Sequence, residues 1–211
     1  MSGPLVKADD PGVLDAAATA LSGGGLVVLP TDTVYGVATL ATVLGATSRL
    51  FAAKERPAEV ALAVLVADAD QAGTMADLGG ATHADRVAKL LREAWPGPLT
   101  VIAPRLSNEA ALVDLGGDPA TIGVRCPDHV LVRDLARRVG PLATTSANRH
   151  GAPTPASAAE AAASLALPPD LVIDGGRCAG EASTVVDCTS AGWPVLRQGG
   201  FPEARIKSCL G

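Results

Sequence analysis

Polar residues able to handle an anion recur at the ends of apolar runs. In Pro30-Thr31-Asp32-Thr33-Val34-Tyr35-Gly36, two threonines and a tyrosine project from one tight turn, and their hydroxyls can hydrogen-bond a small polar ligand, although a turn or helix-cap role accounts for the same residues. Lys54-Glu55-Arg56-Pro57 closes a helical pattern with two cations. They can grip phosphate oxygens, or simply complement the negative end of the helix. Thr144 to Gly151 leaves an apolar strand as a dense run of donors that includes Ser146 and Asn148, and its glycine allows close backbone approach; a solvated loop is the alternative. Arg125 ends an apolar strand before Cys126-Pro127. A half-buried guanidinium there needs an anionic partner, either a structural carboxylate or that of a ligand. Arg197 follows Val195-Leu196 in the same way, and Ser183-Thr184 precedes Val185-Val186-Asp187.

Other chemistries lack their residues. His83, His129 and His150 form no H-E-x-x-H pattern, and neither a G-x-S-x-G elbow nor a G-x-x-x-x-G-K-[ST] phosphate loop occurs. The four cysteines, Cys126, Cys178, Cys188 and Cys209, make no C-x-x-C pair. They read as unpaired cytosolic thiols, and no zinc is expected.

The elements that must position these residues follow from the patterning. Hydrophobic residues make up 48% of the 211 residues but aromatics only 2%, so the core is built from Val, Leu, Ile and Ala, which favours buried sheets flanked by helices. Helical patterns run over 10–21, with Asp10-Pro11 as N-cap and first-turn proline before the Gly23-Gly24-Gly25 stop, and over 43–53, 82–94, 129–139 and 155–165. Strand patterns cover 26–29, 61–67, 99–103, 121–125, 142–145, 171–173, 184–186 and 194–197. Gly79-Gly80, Gly116-Gly117 and Gly175-Gly176 read as loops. This alternation points to an α/β fold with a mixed sheet, in one domain spanning 1–211 with its core at 12–200 and no internal repeat. The net charge of −5 argues against a chain that coats nucleic acid, yet permits a local basic pocket. The start of the chain has no signal-peptide pattern and no apolar run reaches membrane-span length, so the expected location is cytoplasmic, with no membrane association.

Taken in order, the P-T-D-T-V-Y-G turn, Lys54-x-Arg56-Pro57, Trp95-Pro96-Gly97-Pro98-Leu99-Thr100, Thr121-x-x-x-Arg125-x-Pro127, Ser146-Ala147-Asn148-x-x-Gly151, Ser183-Thr184-Val185-Val186-Asp187 and Leu196-Arg197-x-Gly199 resemble the YrdC/TsaC family. The resemblance covers about residues 12–200. It implies a YrdC-like fold, a twisted sheet of parallel and antiparallel strands flanked by helices around a concave basic pocket. It also implies a threonylcarbamoyl-adenylate synthase, which condenses L-threonine, bicarbonate and ATP to threonylcarbamoyl-AMP and pyrophosphate for tRNA threonylcarbamoyladenosine synthesis. ATP would be a substrate accompanied by Mg2+. A downstream tRNA threonylcarbamoyl transferase would be a partner, and weak RNA binding a further property.

Residue by residue, the resemblance puts Lys54, Arg56, Ser146, Asn148, Thr154 and Arg197 on the ATP side, the first four of them catalytic. It puts Thr33, Tyr35, Thr121, Arg125, Thr144 and Ser183 around threonine, with Arg125 on its carboxylate. Metal ligands stay unassigned. Threonine carbamate is already an anionic nucleophile, so positioning and charge neutralisation can suffice without a catalytic triad. The pattern departs at Val60-Ala61-Leu62, where many relatives carry Lys or Asn before Pro-Leu, and at Leu65, where some carry histidine. A lost hydrogen bond to phosphate at position 60 would weaken ATP binding about 10- to 100-fold. Two alternatives stand beside the synthase: an inactive paralogue that binds RNA or nucleotide, and carbamoyl transfer of the hydrogenase-maturation type. The latter relatives carry zinc-finger modules, and this sequence has no C-x-x-C for one.

Overall fold

A computed structural model describes residues 3–108, 113–149, 151–178 and 180–211, with the backbone alone for 80–82. In chain order the elements are β1 (Leu5–Lys7), α1 (Val13–Ser22), β2 (Val27–Leu29), β3 (Gly36–Leu40), α2 (Ala46–Lys54), β4 (Ala63–Leu65), α3 (Ala69–Gly73), α4 (Gly80–Ala94), β5 (Leu99–Pro104), β6 (Thr121–Arg125), α5 (Val130–Val139), β7 (Leu142–Ser146), α6 (Ala158–Ser164), β8 (Leu171–Asp174), β9 (Thr184–Asp187), β10 (Val195–Arg197) and α7 (Glu203–Leu210). Among the described residues the strands form one sheet in the order β1-β8-β2-β3-β7-β4-β6-β5-β9-β10. Its direction is mixed, as expected: β2, β4 and β5 run parallel to β8, β6 and β9, whereas β7 is antiparallel to both β3 and β4.

Successive residues of a strand face opposite sides, so the two faces have separate cores. Val28, Val37, Val64 and Ala143 pack with Leu50 and Ala53 of α2 and with Ala158 and Ala161 of α6. On the other face Val27, Leu29, Ala38, Leu40 and Leu142 pack against Val13, Ala17 and Leu21 of α1 and against Val132, Leu135 and Ala136 of α5. A third cluster joins α4 and α7 to β5 and β9 through Leu90, Val101, Val186 and Ile206. The row of Thr144, Ala63 and Gly123 continues the α1/α5 face beyond those helices. There the sheet opens into a cavity.

Several local readings change. Asp10 is not the N-cap of α1; Gly12 is, and Asp10 Oδ1 accepts the Gly12 N–H at 2.8 Å in the preceding turn. Gly80 opens α4 instead of continuing a loop. Four elements lie outside the predicted set: β1, β3, α3 and α7. β3 is buried along its whole length, so its Gly-Val-Ala-Thr-Leu sequence carries no alternation to mark it. β1 and α3 are too short to show a period, while α7 buries Ile206, Cys209 and Leu210 beside α4. The four cysteines are free thiols. Among the described residues no helix is long and apolar enough to cross a membrane.

Candidate active site

The cavity, of about 410 Å3, is floored by residues of the central strands and rimmed by the turn after β2, the turn after α2, the segment leading into β9 and Arg197 of β10. Its floor is formed of small groups: Ala63 pairs with both Thr144 and Gly123, and Gly123 pairs with Ile102. The concavity thus begins with side-chain size at a few strand positions.

At one end, Thr31 organises the turn after β2. Its hydroxyl donates to Val34 O at 2.6 Å, accepts the N–H groups of Thr33 and Val34, and lies 2.9 Å from the Thr33 hydroxyl. Thr33 in turn accepts from Arg125 Nη1 at 2.8 Å, while Arg125 Nη2 meets Asp32 at 2.5 Å and Nε donates to Gly97 O at 3.0 Å. The anionic partner required for Arg125 is therefore Asp32 in the folded chain, with side-chain exposures of 7% and 14%. Burial pulls the Arg125 pKa down and the Asp32 charge opposes that shift. Arg125 keeps its charge and also lines the cavity.

The opposite wall holds cations without carboxylates. Arg56 donates through Nε to Val60 O at 2.8 Å and through Nη2 to Ala61 O at 2.7 Å, and Arg197 donates to the carbonyl and hydroxyl of Ser183, both at 3.0 Å. Lys54 is 2% exposed, and its ammonium donates to Ser146 O at 2.6 Å and Asn148 Oδ1 at 3.1 Å. All these acceptors are neutral. Burial first, and then the charge of Arg56, lower the Lys54 pKa to about 8. Arg56 is lowered by burial and then by Arg197, and Arg197 by burial. An anion entering here would relieve both the mutual repulsion and the incomplete solvation of these cations.

Most of the expected site residues meet at this cavity: Thr33, Arg56, Thr121, Arg125, Thr144, Ser146, Thr154, Ser183 and Arg197 all line it. Lys54 and Asn148 stand behind Ser146, whose hydroxyl donates to Asn148 Oδ1 at 2.6 Å. Tyr35 is not a cavity wall. It is fully buried, its hydroxyl donating to Gly176 O at 2.6 Å and accepting from Gly175 N, and its side chain, just before β3, packs in the α2/α6 core. Leu65 lines the cavity, but Val60 does not; that residue is 37% exposed and its contribution to the site is the carbonyl that holds Arg56. The expected loss of a phosphate contact at Val60 therefore falls on a side chain outside the cavity lining. His150 lies outside the described residues.

The sequence reading gave no site role to Thr100, Gly116 or Gly123, which also line the cavity, and it named the lining residues Thr31 and Thr145 only as members of donor-rich segments. Thr100 was legible as a buried hydroxyl within the apolar strand 99–103, and it sits 2.8 Å from the Ser183 hydroxyl. Among the described residues, none that lines the cavity carries a carboxylate.

The Sua5/YciO/YrdC family model, described as "Telomere recombination", matches residues 19–199. A Mycobacterium tuberculosis protein, provisionally assigned as a threonylcarbamoyl-AMP synthase, is 36% identical over 202 residues, which is 93% of this chain and 88% of that protein. The Bacillus subtilis threonylcarbamoyl-AMP synthase is 34% identical over 208 residues, covering 98% of this chain and 58% of its own. Among solved structures, Sua5 of Pyrococcus abyssi complexed with L-threonine superposes with a TM-score of 0.87 at 33% identity, over 98% of this chain and 60% of that one. The chain thus spans nearly the whole mycobacterial relative but little more than half of the other two.

Proposed function

Since the chain belongs to the Sua5/YciO/YrdC family, we propose that it is a threonylcarbamoyl-AMP synthase acting on L-threonine, bicarbonate and ATP. The observation that carries this reading is the convergence of Arg56, Arg125 and Arg197 on one cavity, with Lys54 behind it and a carboxylate bonded only to Arg125 among these four. Such a surplus suits a substrate set that brings a triphosphate, a carboxylate and a carbamate.

In the reaction the threonine amine takes up the carbon of bicarbonate with loss of water. A carbamate oxygen then attacks the α-phosphorus of ATP, the bond from that phosphorus to the bridging oxygen breaks, and pyrophosphate leaves. The charge on the pentacoordinate phosphorus is spread over its oxygens, and cations fixed before the reaction stabilise it without reorganising. Arg56, Arg197, Ser146 and Thr154 hold the nucleotide from the wall, with Lys54 and Asn148 bracing Ser146. Arg125, Thr33, Thr121, Thr144 and Ser183 hold threonine. Tyr35 acts at one remove, tying Gly175-Gly176 to the strand that follows the Thr33 turn. Magnesium enters as part of the substrate: among the described residues the lining offers hydroxyls and no carboxylate, so phosphate oxygens and water would be its ligands. The product is a mixed anhydride. A separate transferase acting on tRNA would consume it.

The test is pyrophosphate release from ATP by the purified chain, with threonine or bicarbonate omitted in turn. Release that needs both, and that falls about 100-fold or more in Lys54→Ala, is the expected result. Release independent of threonine, or none from folded protein that binds ATP, would overturn the assignment.

A further inference from the structure

Gly123 occupies the middle of β6, where its strand neighbours Ile122 and Val124 are 2% and 0% exposed. A glycine inside a strand is less stable than alanine at the same place, and it usually marks a bulge or the close approach of something else. Here no bulge is present. The register with Ala63 on one side and Ile102 on the other is regular, and the backbone is outside the left-handed region that would require glycine. Nor does packing require it. A Cβ at this position would have Thr100 Cγ2 at 3.6 Å and Ile102 Cγ1 at 3.9 Å as its nearest neighbours, both ordinary contacts. Gly36, also on the cavity floor, is different: a Cβ there would press on Thr144 Oγ1 at 3.2 Å.

The fold therefore has room for a side chain at 123 and gains stability from one, yet the position is empty and partly exposed toward the cavity. Its surroundings belong to the amino-acid half of the site. Thr121 and Arg125 lie two residues away on the same strand and face, and Thr144 lies one strand beyond Ala63. We propose that Gly123 is the specificity-determining residue of the amino-acid pocket, its missing side chain leaving the space that the β-substituents of threonine fill. The assignment rests on the synthase reading given above. It makes the pocket a size gauge, set by the sum of the groups at 123 and at its cross-strand neighbour Ala63.

The experiment is steady-state pyrophosphate release for wild type, Gly123→Ala and Gly123→Val, varying threonine, serine and ATP, with thermal unfolding of each protein. Gly123→Ala should melt at the wild-type temperature or about 2 °C above it, with the KM for threonine raised about 10-fold and that for ATP unchanged. Preference for threonine over serine should fall, because serine lacks the methyl that competes for the space. Gly123→Val should cost about 100-fold or more in kcat/KM for threonine. Ala63→Gly in the Gly123→Ala background should restore much of the threonine KM, a rescue that a purely structural role would not give. A folded Gly123→Ala with wild-type KM for threonine, or with equal changes in the KM for threonine and ATP, would overturn the assignment while leaving the synthase reading intact. An unfolded Gly123→Ala would overturn its premise that the fold accepts a methyl group. A wild type without threonine-dependent release would overturn the synthase reading, and this assignment with it.

Discussion

Lys54 is the residue at which binding and stability oppose each other. Its ammonium is buried against neutral oxygens, so the folded state carries a desolvation cost that an anionic substrate would offset. With a folded pKa of about 8 against 10.5, the folded chain binds fewer protons than the unfolded chain between those values. Stability attributable to this group therefore rises with pH through that window, and the cost is fully present below it. Other groups titrate nearby: Cys126 is pushed up to about 11 and Cys188 to about 12, and Tyr35 is raised, all led by burial. The clean quantity is thus a difference. Urea unfolding of wild type minus Lys54→Met should become more favourable to wild type between about pH 8 and 10.5, and a flat difference would show that the ammonium is solvated or paired. The same comparison shows what was legible at this scale. Arg125 and Arg197 were readable because a charged residue ending an apolar strand must find a partner, and Arg56 because it stands with Lys54 at the end of a helix. That Arg125 already has Asp32, and that Lys54 stands behind Ser146, depends on contacts between segments about ninety residues apart.

The element that places Arg56 is a pair of segments, not one. Gly116 and Gly117 both adopt left-handed backbone, with φ of 67° and 64°, and Leu115 O accepts from Leu62 N while Gly117 N donates to Ala58 O, both at 2.8 Å. The 58–62 segment is moulded against this turn, and its carbonyls at 60 and 61 hold the guanidinium. A Cβ at Gly116 would lie 2.4 Å from Ala58 O and 2.6 Å from Phe51 Cζ. Gly116→Ala should therefore destabilise the protein by about 1–3 kcal/mol through strain and clash. It should also raise the KM for ATP several-fold more than that for threonine, since Arg56 shifts and Arg125 does not. Denaturant unfolding with two-substrate kinetics checks both, and an equal rise in the two KM values would detach this turn from Arg56. The sequence marked Gly116-Gly117 as a loop but not what the loop supports. Helices with a clear apolar period, such as α1 with Val13, Ala17, Ala18 and Leu21 buried, were legible. Elements without a readable period, β1, β3 and α3, were not.

At the scale of the whole molecule, the α/β class and mixed sheet follow from alternating patterns, whereas the strand order does not. β5 next to β9 and β7 between β3 and β4 are pairings across long stretches of chain, fixed by which faces α1, α5, α4 and α7 can cover. That order has a thermodynamic consequence. The cavity wall is assembled from segments between Thr31 and Arg197, so a bound ligand ties together nearly the entire sheet, and any unfolding that separates those segments must release it. Ligand binding should therefore raise the global transition without splitting it. At ligand about 100 times Kd the gain is about 2.7 kcal/mol, or roughly 5–10 °C in Tm for a chain of this size. Thermal unfolding with MgATP, with threonine and with both should show single transitions at rising temperatures. In Arg56→Ala the nucleotide shift should largely disappear and the threonine shift persist, whereas in Arg125→Ala the threonine shift should disappear. Loss of both shifts in either folded variant would mean that the two halves of the cavity form one indivisible unit, and that the division of residues between nucleotide and amino acid is wrong.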